Sequence, residues 1–132
     1  MIEEYPIDYL YSETHEWARV EGDVVTVGIS KYALRELGRI AYVKLPSVGT
    51  EVIRDQPFGE IESGKGVADL NAPVDGEVVE VNEVLSDVPD LVYHDPYEEG
   101  WMVKIKMSDR KQLDGLLYAD EYRRSLEKSG GE

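Results

Sequence analysis

This sequence predicts a mainly β fold, a small sandwich or barrel carrying one short early helix and one terminal helix. Three observations predict it. Short runs of β-branched or alternating residues recur from Glu16 to Met107, and clusters of Gly, Pro, Asn and Asp fall between them. A helical period replaces the alternation only at Tyr32–Leu37 and again after Ser108. Finally, 132 residues at 42% hydrophobic content are enough for one core, so 1–132 is read as a single domain with its body at about 11–126.

The elements follow in order. Glu16–Val20 and Val24–Ile29 flank Glu21-Gly22-Asp23 and read as a hairpin. Ser30 is placed to cap a helix over Tyr32–Leu37, with Gly38 as its stop and Ala33, Leu34 and Leu37 on one face. Arg39–Leu45 alternates and ends at the turn Pro46–Gly49. Glu51–Ile53, Phe58–Glu62 and Val67–Leu70 are further strands, Asn71–Gly76 is a turn, and Glu77–Val81 and Trp101–Met107 complete the β region. Asn82–Gly100 is a long connection rich in Pro, Asp and Tyr, of the kind that is functional or wraps the body. Leu113, Leu116, Leu117, Tyr122 and Leu126 mark the apolar face of a terminal helix at about 109–127, and Ser129–Glu132 should fray.

Composition excludes several function classes. The net charge is −14, from 28 acidic against 14 basic residues, which argues against nucleic acid and anionic membranes as partners. A basic patch on another protein is a better match. There is no cysteine, so thiol chemistry must come from an attached group, and with only His15 and His94 no zinc site is expected. No basic-then-apolar leader and no run near the roughly 18 apolar residues of a membrane span is present, so the chain reads as cytoplasmic.

The residue that stands out is Lys65, in Gly59-Glu60-Ile61-Glu62-Ser63-Gly64-Lys65-Gly66. Two flanking glycines leave its amine unshielded and let the backbone turn sharply. The segments before and after it read as two arms meeting at a tight turn, a fixed base for a swinging prosthetic group. Gly59-x4-Gly64-Lys65 imitates a phosphate loop, but Gly66 stands where Ser or Thr must hold magnesium, and no helix follows. His15-Glu16 begins a metalloprotease motif whose second histidine is replaced by Arg19, leaving His15 to orient its loop. His94, beside Asp95, has no companion nucleophile and reads as a surface-loop residue. Trp17, Tyr42, Tyr97 and Trp101 read as core and rim packing. Glu60, Glu62, Asp69 and Glu77 lie on either side of Lys65, either as a solvated face or as an electrostatic tag for a partner or a modifying enzyme. No nucleophile, base and orienting group can be assembled, so the chain does not read as an enzyme.

A chain-long set of short motifs resembles the H proteins of the glycine cleavage system, lipoate-carrying relatives of biotinyl and lipoyl domains. The stretches are Thr14-His15-Glu16-Trp17, Val27-Gly28-Ile29-Ser30, Tyr32-Ala33, Leu37-Gly38 and Leu45-Pro46-Ser47-Val48-Gly49. They continue with Glu62-Ser63-Gly64-Lys65, Pro73-Val74-Asp75-Gly76-Glu77-Val78-Val79-Glu80-Val81-Asn82, Asp95-Pro96-Tyr97-Glu98-Glu99-Gly100-Trp101-Met102 and Leu116-Leu117-Tyr118-Ala119-Asp120-Glu121-Tyr122. The resemblance implies a lipoyl-type barrel-sandwich hybrid and lipoate in amide linkage to Lys65. It implies a shuttle that takes an aminomethyl group from the pyridoxal-phosphate-dependent glycine decarboxylase to the tetrahydrofolate-dependent aminomethyltransferase. Dihydrolipoamide dehydrogenase would then reoxidise the arm, and lipoate ligase or a lipoyl/octanoyl transferase would attach it.

The resemblance also places Thr14, Glu16 and Asp69 at the cleft that holds the loaded arm, and assigns Glu62, Gly76 and Glu77 to recognition by partners or the modifying enzyme. The shuttle is expected to be a monomer. Gly64 and Gly66 replace the small apolar residue and the Ala usual beside the lysine, and Tyr93-His94 departs where Asn is usual. These departures leave open a paralogue serving a lipoyl relay or a sulfur-oxidising complex, or an unlipoylated acidic adaptor.

Overall fold

The computed structural model describes residues 4–128; the tail Ser129–Glu132, expected to fray, lies outside them. Nine strands form among the described residues: β1 Leu10–Tyr11, β2 Glu16–Glu21, β3 Val24–Ile29, β4 Ile40–Lys44, β5 Glu51–Val52, β6 Pro57–Ser63, β7 Gly66–Asn71, β8 Gly76–Val81 and β9 Val103–Met107. Two antiparallel sheets result, one ordered β1-β2-β3-β9-β8-β5 and one ordered β4-β6-β7. The mainly β sandwich expected from the alternating pattern is the fold observed. Val27 and Ile105 from the larger sheet and Val43, Ile61 and Leu70 from the smaller meet in one buried core.

Local chemistry explains the turns. β2 and β3 pair from Glu16↔Ile29 to Glu21↔Val24, leaving Gly22-Asp23 as the loop, and Gly22 takes φ 64, which glycine adopts without a Cβ clash. Helix α1, Lys31–Leu37, ends at Gly38, where φ is 79 and the N–H donates to the Leu34 carbonyl at 2.7 Å. Its Leu34 is buried, with Ala33 and Leu37 packed beside it.

The structure departs from the sequence reading at four places. Ser30 makes no side-chain cap to α1; its hydroxyl pairs instead with the Tyr122 hydroxyl at 2.7 Å. The terminal helix is interrupted. A 3-10 turn at Arg110–Gly115 gives way to an extended Leu116, Leu117 exchanges backbone hydrogen bonds with Tyr11, and only then does α4, Ala119–Lys128, begin. Leu113 and Leu116 thus pack on the main core while Leu117, Tyr122 and Leu126 pack elsewhere. The connection 82–100 folds into two single-turn helices, α2 Val84–Asp87 and α3 Leu91–His94. They are anchored by buried Leu85 and Val92 and by Asp90, whose carboxylate accepts from the Ile40 N–H at 2.9 Å. Lastly, Tyr42 is 53% exposed on the outer face of β4, outside any core.

Both faces of β2 are buried. Ala18 points into the inter-sheet core, while Trp17 points outward into a second cluster built from Tyr5, Tyr9, Tyr11, Tyr97 and Tyr122. Trp17 donates from its indole N–H to the Pro96 carbonyl at 3.0 Å, and Tyr11 stacks on Tyr122 at 4.7 Å. Gly28 is opposite Trp17 because a β-carbon there would sit 2.6 Å from the indole. This aromatic layer docks α4 beside the start of β2, and so beside the site described next.

Candidate functional site

β6 and β7 form a hairpin whose last pair is Ser63↔Gly66, leaving Gly64-Lys65 as its two-residue tip. The tip is exposed, and the Lys65 N–H donates to the Ser63 hydroxyl at 3.1 Å, which steadies the turn beneath the lysine. Gly66 takes φ 154, a conformation that L side chains rarely adopt. The lysine side chain runs beside the end of α1: a β-carbon on Gly38 would meet Lys65 Cε at 3.9 Å. Lysine, hairpin and helix end therefore share one region of surface.

A cleft of about 350 Å³ opens beside α1, between the start of β2 and strand β7. Its apolar walls are Ile29, Ala33, Leu37, Ile61 and Leu70; its polar lining is Thr14, His15, Glu16, Tyr32, Glu36 and Asp69. The three residues assigned to an arm cleft from sequence, Thr14, Glu16 and Asp69, are thus brought together by three separate elements. Among the described residues, no lysine or arginine lines it.

Glu16 shares the inward face of β2 with Ala18, so alternation alone drives its carboxylate into the space between the sheets. It is 1% exposed. The carboxylate accepts from the Ser12 hydroxyl at 2.7 Å, from the Thr14 hydroxyl, and from the Asn71 N–H of β7 at 2.9 Å. Burial raises its pKa above the ordinary value, and these donors pull the other way. Glu16 thereby ties the Ser12–His15 turn to the far strand, and forms part of the cleft floor.

His15 sits in that turn at φ 80, uncommon for a residue with a side chain, and its N–H closes on the Ser12 carbonyl at 3.1 Å. Its ring packs on Tyr32 at 4.7 Å, and its Nδ1 meets the Tyr122 hydroxyl at 2.7 Å. Burial lowers its pKa, with Glu36 acting against that shift. The chain Ser30–Tyr122–His15 joins α4 to the cleft. The Tyr122 hydroxyl is held well above the ordinary tyrosine range, chiefly by burial, and stays protonated.

The remaining assigned residues lie outside the cleft. Glu62 is exposed on β6, opposite Val67 and Tyr42. Glu77 is exposed on β8 in the other sheet, opposite Lys106. Gly76 is buried beside β9, where a β-carbon would collide with the Lys106 carbonyl, so packing requires glycine there. His15, Tyr32 and Glu36 line the cleft without having been assigned to it from sequence. Tyr32 and Glu36, four apart on α1, face the same way; with the helix known to border the hairpin, that spacing was the available signal.

A family model described as glycine cleavage H-protein matches residues 9–129. The chain belongs to that family. The glycine cleavage system H protein of Staphylococcus carnosus (strain TM300) is 50% identical over 121 residues, covering 92% of this chain and 96% of that protein. That of Halalkalibacterium halodurans is 51% identical over 121 residues, covering 92% and 94%. A crystal structure of a glycine cleavage system H protein from Mycobacterium marinum superposes with a TM-score of 0.82 at 37% identity, covering 95% of this chain and 98% of that one. The barrel-sandwich architecture implied by the resemblance agrees with this neighbour, including the terminal helix. Among the described residues, no helix is long and apolar enough to cross a membrane.

Proposed function

We propose that this chain is the lipoyl carrier of a glycine cleavage system, with lipoate in amide linkage to Lys65 and the cleft beside α1 as the resting place of the loaded arm. Family membership supports the carrier role. The observation that carries the residue assignment is the position of Lys65: an exposed hairpin tip whose side chain lies beside the end of the helix that walls the cleft. A narrow apolar trough with carboxylates suits an aliphatic chain ending in a cation, so the residues present fit the group. Lipoate supplies what a cysteine-free chain lacks, a dithiolane that exchanges electrons and carries a group on sulfur.

The residues of the chain have separable tasks. Lys65 anchors, and Ser63 fixes the turn below it. Ile29, Ala33, Leu37, Ile61 and Leu70 keep water from the arm. Glu16, fixed by three donors, presents negative charge from the floor, and Thr14 is positioned by it. The cargo is an aminomethyl group, received from glycine decarboxylase and delivered to the tetrahydrofolate-dependent aminomethyltransferase. Dihydrolipoamide dehydrogenase reoxidises the arm, and a lipoate ligase or lipoyl/octanoyl transferase attaches it. The carrier itself performs no bond-making step.

Intact-mass measurement after incubation with lipoate and a ligase is expected to show one added lipoyl group, and none in Lys65→Arg. Glycine–CO2 exchange with the cognate decarboxylase is expected only from the lipoylated form. A lipoyl group added to Lys65→Arg refutes the anchor, and exchange by the unmodified protein refutes the carrier mechanism.

A further inference from the structure

The cleft contains two kinds of carboxylate. Glu16 is buried and fully engaged, whereas Glu36 and Asp69 are exposed, and neither has a hydrogen-bond or ion-pair partner among the described residues. Glu36 comes from the last turn of α1 and Asp69 from β7, so they approach the cleft from different elements. The other titratable groups lining this space are Glu16, His15 and Tyr32; the Tyr122 hydroxyl lies behind the His15 ring, and Lys65, beside the end of α1, loses its charge on amide formation. Burial disfavours the charged form of His15, and Tyr122 stays protonated. A cation placed here meets carboxylates and no competing positive group.

We propose, building on the carrier function above, that Glu36 is a positioning residue that acts with Asp69 to keep the amine of the loaded arm protonated, and that this protonation preserves the cargo. The chemistry is specific. A neutral amine can push its lone pair onto the methylene carbon, which breaks the C–S bond and leaves the electron pair on sulfur as thiolate. The departing iminium adds water and yields formaldehyde and ammonium. An ammonium has no lone pair to push, so the C–S bond holds until the proton is lost. Carboxylates near the nitrogen raise the pH at which that happens. Apolar walls slow access of water, but the carboxylates control whether the step can begin.

The size of the effect follows from Coulomb's law. One carboxylate about 6 Å from the amine, in a largely aqueous setting, shifts its pKa by about 0.5 to 1 unit. Glu36→Gln should therefore speed loss of the cargo about three- to tenfold at pH values below the midpoint, where most of the amine is still protonated, and little above it. Its exposed position means the fold is retained.

The test uses lipoylated protein, reduced with a phosphine and then loaded without enzymes by formaldehyde and ammonia, which add to the thiol with loss of water. Decay of the loaded mass is followed by intact-mass measurement from neutral to alkaline pH. The expected result is a pH–decay profile displaced downward in Glu36→Gln, restored in Glu36→Asp, and unmoved in Glu60→Gln, whose exposed carboxylate on β6 lies outside the cleft. NMR titration of His15 in the unloaded protein is expected to move further down in Glu36→Gln. An unchanged profile in Glu36→Gln overturns the proposal, as does an equal displacement in Glu60→Gln, which would make the effect one of net charge. Failure of the unmodified protein to gain lipoate at Lys65 overturns the carrier reading instead, and this inference with it.

Discussion

Replacing Glu16 with Gln removes a charge from beneath the cleft while keeping the shape of the side chain. Three donors converge on the carboxylate: the Ser12 hydroxyl at 2.7 Å, the Thr14 hydroxyl and the Asn71 N–H at 2.9 Å. The amide oxygen of Gln can keep the Asn71 N–H, and the hydroxyls can rotate to accept from its NH2 group. Weaker hydrogen bonds are then offset by relief of a buried charge, so Glu16→Gln is expected within about 1 kcal/mol of the wild type at neutral pH. Glu16→Ala leaves the Asn71 N–H without an acceptor and opens a void, for a loss of about 2–4 kcal/mol, or about 3–5 °C in Tm per kcal/mol.

The pH dependence is the sharper measurement. Burial raises the folded-state pKa of Glu16 above its ordinary value. The folded protein therefore binds this proton more tightly than the unfolded chain. The resulting stabilisation is fully present below the unfolded pKa and is lost as pH rises through the folded value. Wild type should gain on Glu16→Gln as pH falls, by about 1.4 kcal/mol for each unit of the shift. Urea denaturation of both proteins across mildly acid to neutral pH reads this directly. A wild type that loses ground to Glu16→Gln on acidification would show that the donors outweigh burial, and would refute the reasoning.

Other substitutions test the neighbouring parts. Gly76→Ala should lose about 1–3 kcal/mol, because its β-carbon meets the Lys106 carbonyl, whereas Gly64→Ala, with open space around it, should stay within about 0.5 kcal/mol. Thermal denaturation of the pair checks this, and equal Tm values would remove the packing explanation for Gly76. Tyr122→Phe keeps the ring stacked on Tyr11 but deletes the hydroxyl shared by Ser30 and His15. A loss of about 1–2 kcal/mol and a displaced His15 ring resonance are expected; an unmoved resonance would mean that α4 does not reach the cleft through this residue.

Much of the fold was legible because alternation and turn chemistry are local. Val24–Ile29 is β-branched and ends the strand where Ser30 and α1 begin, and Gly22 and Gly38 adopt the positive φ that their turn positions require. The terminal helix was only half legible. Its Leu periodicity runs through Leu113, Leu116 and Leu117, yet a bridge to Tyr11 breaks it, and no local rule announces a partner a hundred positions away. Ser30 was read as a cap for the same reason: its actual partner, Tyr122, is remote in sequence. Tyr42 shares the parity of buried Ile40, but a register shift between the two leaves Val43 buried and Tyr42 exposed.

The sequence by itself determined that one lysine is displayed between glycines on a β hairpin, that the chain has no thiol of its own, and that the surface repels nucleic acid. Those properties depend on residue type and short-range conformation, which a linear chain records. Only the tertiary structure decided that Thr14, Glu16, Glu36 and Asp69 line a single cleft, and that the Lys65 side chain runs beside the helix bordering it. It also decided that Gly76, beside the Lys106 carbonyl, has a packing role. Proximity of this kind is set when two sheets close over a common core, and side-chain packing across that closure leaves no period or spacing in the chain.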